Sequence, residues 1–145
     1  MIGLIQRVTS AQVNVKKAVV AEIDHGLVLF LGIQKKDTET SADKMLKRVL
    51  GLRVFSDESS RMNLSLQDVS GNLLIISQFT LAADTQKGLR PSFSGAAPPD
   101  HAKWIYEYFV ERAQFSHKNI AAGIFGANMQ VSLCNDGPVT FALES

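Results

Sequence analysis

The chain has 145 residues, a formal net charge of +1, 46% hydrophobic residues and 20% charged residues. That composition suits one globular domain over residues 1–145, with enough apolar content to fold without disulfide or metal. It excludes a polybasic nucleic-acid binder that works through wide phosphate contact.

The lone cysteine, Cys134, has no internal partner and fits a reducing, cytoplasmic setting. Met1–Arg7 does not read as a signal peptide. The longest apolar stretch, Leu27 to Ile33, falls far short of the roughly 20 residues that span a bilayer.

In chain order, Ile2 to Val8 is an apolar run that ends in a charge. Gln12–Val15 and Val19–Ile23 flank Lys16-Lys17, which reads as a turn. His25-Gly26 breaks the chain before Leu27–Leu31, a predicted buried strand. Thr38 to Leu50 is a predicted helix: Ala42, Met45, Leu46, Val49 and Leu50 fall on one stripe, and Gly51 stands where a helix stop belongs. Arg53–Phe55 suggests a short strand and Asp57–Asn63 a loop. Leu73–Ile76, the most apolar run, reads as a central strand that leads directly into Ser77-Gln78-Phe79-Thr80.

Thr85 to Pro99 reads as a loop, and Pro98-Pro99 opens a second helix with Ala102, Ile105, Phe109, Val110 and Ala113 on its apolar face. Gly123–Gly126 suggests another loop. Met129, Val131 and Leu133, then Val139, Phe141 and Leu143, alternate with other residues on either side of Asn135-Asp136-Gly137. This pattern predicts a hairpin. Pro138 is an unusual addition to it, because proline removes a ladder donor. The expected fold class is α+β, with mixed β-sheets and two main helices.

Several chemistries lack their residues. Neither phosphate-binding glycine motif occurs. His25, His101 and His117 lie apart without metal-ligand spacing and are expected at the surface or in loops, so no metal or cofactor is expected. Cys134 is expected to be a small packing residue in a strand. No pair of acidic residues in an apolar setting supports glycosidase chemistry.

Two stretches carry more information. Ser77–Thr80 follows a buried strand and offers two hydroxyls, an amide and backbone N–H groups that suit an oxyanion. Its plainer reading is a strand entering a turn, with the hydroxyls serving local backbone. Asn135–Pro138 is either a hairpin turn or a rigid device that fixes two carbonyl oxygens as acceptors.

Taken together, the segments resemble one family along nearly the whole chain. They are Met1-Ile-Gly-Leu-Ile-Gln-Arg-Val8, Phe55-Ser-Asp57 with Met62-Asn63, Ser77-Gln-Phe-Thr-Leu-Ala-Ala-Asp84, Gly88-Leu-Arg-Pro-Ser-Phe93, Met129-Gln-Val-Ser-Leu133 and Asn135-Asp-Gly-Pro-Val-Thr-Phe141. In this order and spacing the sequence resembles the D-aminoacyl-tRNA deacylases of the bacterial and eukaryotic type.

The resemblance implies a layered β–β–α fold and hydrolysis of the ester joining a D-amino acid, or mischarged glycine, to the 3′ end of tRNA. It implies a homodimer with the site at the interface, no membrane and no cofactor. Gly137-Pro138 would be cis and would reach into the partner's site to reject L-amino acids through backbone carbonyls. Ser77, Gln78, Phe79 and Thr80 would form the catalytic segment. The N–H of Phe79, and that of Gln78 as a second candidate, would stabilise the oxyanion, while Thr80 lines the site and is not a covalent nucleophile. Water would be activated with help from the terminal ribose 2′-OH. Arg7 would brace the Gly-Pro loop, and Phe125 and Met129 would pack near the terminal adenosine.

Departures from the family pattern are few. Ile124 replaces a basic residue common in relatives, Asn128 an acidic one, and Ala142 a bulkier aromatic. Two competing readings make different predictions. A dimeric binding module would bind without turnover, and a serine or threonine esterase would form an acyl-enzyme at Ser77 or Thr80.

Overall fold

The computed structural model describes residues 1–145. In chain order the elements are β1 (Ile2–Val15), β2 (Ala18–Ile23), β3 (Gly26–Gly32), α1 (Glu39–Gly51), β4 (Phe55–Ser56), β5 (Met62–Leu64) and β6 (Asn72–Ser77). A 3-10 turn (Phe79–Ala82), α2 (Pro99–Ser116), β7 (Ile120–Ala122) and β8 (Gln130–Glu144) follow.

The two continuous apolar runs are neighbours. β3 and β6 pair in parallel, with Leu27 opposite Leu73 and Phe30 opposite Ile76. Both faces of this pair are covered, which is why both strands are apolar at nearly every position. Leu27, Leu29, Leu31, Leu73 and Ile75 face the larger core. Val28, Leu74 and Ile76 face a second, smaller one.

β1 is long enough to organise the sheet. Its second half pairs antiparallel with β2 and its first half with β3. The Lys16-Lys17 turn closes the hairpin with both residues at positive φ, 49° and 68°, the conformation a two-residue hairpin turn demands. Along its other edge β1 pairs with β8 over nearly the whole length of both strands. Beyond β6, β7 adds a parallel edge strand.

The sheet curls so that Val8, Val13 and Ile23 meet Leu74 and Ile76 inside the curve. The fold is therefore mixed α+β around a barrel-like sheet, with both helices against its outer face.

α1 buries the stripe expected of it: Ala42, Met45, Leu46, Val49 and Leu50. A helix of this length is marginal alone in water, and each large apolar side chain it buries contributes about 1.5–3 kcal/mol as an upper range. Gly51 does not stop the helix in a left-handed turn. It is the last helical residue, and extended Leu52 ends the element.

Pro99 opens α2, where its missing N–H costs nothing. The helix buries Ala102, Ile105, Phe109 and Ala113 as expected, with Tyr106 in the core and Val110 only half-buried. β7 was not anticipated, because Ile120-Ala121-Ala122 is too short to show alternation.

The predicted C-terminal hairpin does not form. Residues 130–144 run as one strand along β1, and Asn135–Pro138 makes a bulge within it. The local turn signal loses to the long unpaired edge that β1 offers.

Two histidines tie segments together, His101 in the first turn of α2 and His117 in the loop after it, where a loop position was expected. His101 Nε2 lies 2.9 Å from the Asp37 carbonyl and His117 Nε2 lies 2.7 Å from that of Gly71, so both are half-buried ties between segments. Cys134 is exposed and does not serve as a packing residue. The Met1 ammonium is buried and bonds Asp37 Oδ1 at 2.7 Å, Gln34 Oε1 at 3.1 Å and the Ser145 carbonyl at 3.1 Å. No helix is long and apolar enough to cross a membrane.

Candidate active site

A cavity of about 500 Å³ opens where parallel β3 and β6 end, within the range of small-ligand sites. The carboxyl ends of parallel strands are where open sheets usually place ligands. One wall is Ser77, Gln78 and Phe79, and the opposite wall is the 125–129 loop with Phe125, Asn128 and Met129. The start of α2 closes a third side with Pro99 and Ala102.

The first wall is an extension of the β-ladder. Gln78 N–H donates to the Leu31 carbonyl at 2.8 Å, which carries the chain past the end of β3 before the 3-10 turn begins. That bond commits the Gln78 N–H and corrects its candidacy as an oxyanion donor. Phe79 is the first residue of the turn, so its N–H has no carbonyl within the turn to bond. The Phe79 ring is 58% exposed and packs on Phe93 at 5.0 Å between centroids.

Thr80, expected to line the site, is not among the residues that line this cavity. Its hydroxyl accepts a hydrogen bond from Gln78 Nε2 at 2.5 Å, so it meets the site only through that amide.

The second wall is tied to the first at its root. Gly123 N–H donates to the Ile75 carbonyl at 2.8 Å. The Tyr106 hydroxyl sits 3.0 Å from the carbonyl oxygens of both Ile75 and Gly123. Tyr106 also packs on Phe125 at 5.7 Å. Burial alone pushes the Tyr106 phenol far above its usual value, so it stays neutral and can donate. A Cβ at Gly123 would stand 2.7 Å from Met129 Sδ, so a side chain there would displace Met129 within the wall. Sequence reasoning missed Tyr106. Its only signal was a phenol among the buried positions of α2.

No Asp, Glu, His, Lys, Arg or Cys lines this cavity. Its polar groups are a hydroxyl, amides and backbone. No cluster of three or more metal-ligating side chains occurs in the chain.

Arg7, Gly137 and Pro138 are not part of the cavity of their own chain. They form a second assembly at the β1–β8 edge. Arg7 Nε donates to the Asp136 carbonyl at 3.1 Å and Nη1 to the Val54 carbonyl at 2.7 Å. The Asp136 carboxylate lies 3.3 Å from the same Nε. Gly137 has φ 138°, and a Cβ there would fall 2.6 Å from Val139 Cγ2 and 3.3 Å from Arg7 Nη2, so glycine is required. The Gly137-Pro138 peptide is cis. Both residues are exposed.

Ile124 is 48% exposed beside the second wall, and Ala142 pairs with Leu4 on the β1 edge.

Residues 4–144 match the family model described as D-Tyr-tRNA(Tyr) deacylase. The chain is 60% identical over 144 residues to a D-aminoacyl-tRNA deacylase from Cellvibrio japonicus, covering 99% of both chains. It is 57% identical to one from Pseudoalteromonas translucida, again over 99% of each. Among solved structures, one titled c-Myc DNA Unwinding Element Binding Protein superposes with a TM-score of 0.96 at 40% identity, covering 100% of this chain and 99% of that one. Another, titled as a probable eukaryotic D-amino acid tRNA deacylase, superposes with a TM-score of 0.87 at 14% identity, covering 99% and 98%. That second likeness speaks to the fold alone.

Proposed function

The chain belongs to the D-Tyr-tRNA(Tyr) deacylase family and hydrolyses the ester bond of D-aminoacyl-tRNA, and from that premise we propose how it does so. The observation that carries the reading is a cavity with no ionisable side chain in its lining; to it we assign the Phe79 N–H as donor, because that N–H has no acceptor within its own turn.

A serine or threonine nucleophile needs a base beside it. Ser77 has none in the cavity, and the Thr80 hydroxyl is engaged by Gln78. Water is therefore the attacking group, and the base is drawn from the substrate: the 2′-OH of the terminal ribose takes part in activating it. The oxyanion that develops on the ester carbonyl is held by the Phe79 N–H. One such donor is typically worth about 10²–10³ in rate. Ser77 and Gln78 position the ester. Phe125 and Met129 give the terminal adenine an aromatic face and a thioether to pack on.

Chiral selection is assigned to Gly137-Pro138 of the partner subunit in a homodimer. The loop is exposed and stands outside its own chain's cavity, as it must if it serves another. The half-exposed Phe79 ring beside the cavity suits burial at such an interface. The loop's carbonyls hold the α-amino group in one orientation, in which an L side chain meets backbone and a D side chain points to open space. Rejection of the wrong hand, without recognition of any one side chain, admits many D-amino acids. Glycine, lacking a side chain, passes the same filter. Arg7 keeps the loop in place.

The test pairs D-tyrosyl-tRNA with L-tyrosyl-tRNA in a metal-free deacylation assay and repeats the D substrate with a 2′-deoxy terminal adenosine. The D ester is hydrolysed and the L ester spared. The 2′-deoxy substrate slows by about 10²-fold or more, the scale of lost general acid–base assistance. Equal hydrolysis of both hands overturns the chiral assignment, and an unchanged rate on the 2′-deoxy substrate overturns the role of the ribose.

A further inference from the structure

We infer that Asn135 is a positioning residue for chiral selectivity: its carboxamide closes the base of the loop that presents Gly137-Pro138 and so sets where that loop's carbonyls point. The inference rests on the reading of this loop as the chiral selector.

The β1–β8 register defines the loop. Gln6 pairs with Thr140 and Val8 pairs with Asn135, so Arg7 alone faces the four residues Asp136 to Val139. Those residues are pushed out of the ladder, and Pro138 has no N–H to offer it. A segment expelled in this way keeps one direction only if something outside the ladder holds it.

Asn135 supplies that hold at the neck. Its Oδ1 accepts the Val139 N–H at 2.7 Å, across the loop from one stem to the other. Its Nδ2 donates to Thr140 Oγ1 at 3.0 Å, with a longer contact of 3.4 Å to the Val139 carbonyl. Gln6 Nε2 donates to the same Thr140 oxygen at 3.1 Å, which ties the neck to β1. The oxygen and nitrogen of the amide thus engage different groups, so the carboxamide can sit in only one orientation. Arg7 holds the opposite flank through the Asp136 carbonyl. The loop is pinned at both sides, and Gly137-Pro138 is the span between the pins.

Asn135 does not line the cavity, so its influence passes through backbone position alone. A shift of about 1 Å at a reacting centre can cost 10²-fold, so a loosened neck should register in selectivity. Asparagine at a turn often does no more than satisfy nearby backbone, and that role would show in stability alone. The two roles therefore separate by what each variant loses.

The experiment measures kcat/KM for D- and L-tyrosyl-tRNA, together with Tm, for wild type, Asn135→Ala, Asn135→Asp, Thr140→Val, Thr140→Ser and Pro138→Ala. Asn135→Ala should lower the D/L ratio by about tenfold or more, in line with the sensitivity of positioned groups to small displacements. Asn135→Asp keeps an acceptor for Val139 N–H but loses the donor to Thr140, so it should fall between. Thr140→Val should reduce the ratio, and Thr140→Ser, which restores the hydroxyl, should recover it. If Asn135→Ala does not fold, Asn135→Asp and the Thr140 pair decide by the same readout. A D/L ratio that stays at the wild-type value while Tm falls overturns the inference. A wild type that discriminates while Pro138→Ala leaves the ratio untouched overturns the selector reading instead, and the inference with it.

Discussion

The Tyr106 hydroxyl stands equidistant, at 3.0 Å, from the carbonyl oxygens of Ile75 and Gly123. Ile75 belongs to the strand that carries one wall of the cavity, and Gly123 opens the loop that carries the other. One phenolic hydrogen thus links both walls.

Tyr106→Phe should separate binding from chemistry. Losing a buried hydrogen bond costs about 1 kcal/mol of stability. The larger consequence is a freer 123–129 loop. KM for D-aminoacyl-tRNA should rise several-fold while kcat, which the proposed mechanism assigns to the Ser77–Phe79 wall, is kept. Steady-state kinetics check this, and a fall in kcat at constant KM would contradict it.

The same variant should change the alkaline limb of stability. Burial holds the phenol protonated well above its ordinary value of 10.0. Above that value the unfolded chain has released the proton and the folded one has not, so stability is lost as pH rises. Below it the contribution is fully present. Chemical denaturation at about pH 9 and about pH 11 should show a smaller drop for Tyr106→Phe than for wild type, since phenylalanine has nothing to titrate.

Asp37→Asn should destabilise the fold strongly. Asp37 Oδ1 meets the Met1 ammonium at 2.7 Å, with the ammonium fully buried, and Oδ2 accepts the Gln34 N–H at 2.7 Å. Removing one member of a buried ion pair typically costs about 3–5 kcal/mol, because the other charge is left without a counter-ion. A fall in Tm of about 10 °C is expected for a domain of this size. Differential scanning calorimetry measures it, and a shift under a few degrees would show that the amide serves equally well.

Thr80→Ala should retain activity within about tenfold of wild type, since it removes one hydrogen bond to the Gln78 amide and no reacting group. Complete loss in a folded variant would restore a nucleophilic role for the hydroxyl.

Salt should affect binding only mildly. A net charge of +1 suits a grip on the aminoacylated tip of tRNA and not on its stem. Single-stranded contacts contribute a slope of about −0.7 per phosphate in a plot of log affinity against log salt. A slope shallower than about −3 is expected, and a steeper one would reveal a wider phosphate footprint.

Much of this architecture was legible in the sequence, and where it was not the reason is physical. Leu27–Leu31 and Leu73–Ile76 announced buried strands because both of their faces are covered. The helical stripes were equally plain. Asn135–Pro138 misled because its local chemistry is that of a turn, while its pairing is decided by β1, more than a hundred residues away in sequence. The cavity wall at Ser77–Phe79 was visible as polar residues after an apolar strand. Its tie to the far wall was not, because Tyr106 looks in sequence like any core aromatic. The commitment of Gln78 N–H to Leu31 was likewise invisible, since a backbone bond leaves no trace in residue type.

The pairing of β1 with β8 also governs when the fold can be complete. The strand at the start of the chain waits for the strand at its end: Ile2 pairs with Glu144, and the contact from Arg7 to the Asp136 carbonyl needs both. Contacts so distant in sequence form late, because loop closure must come before they contribute. During synthesis the β1–β2 hairpin and the β3–β6 pair can assemble early, yet one edge of β1 stays bare until residues 130–144 arrive. A ribosome stalled before that point holds a polypeptide with an open strand edge, prone to pairing with a neighbour.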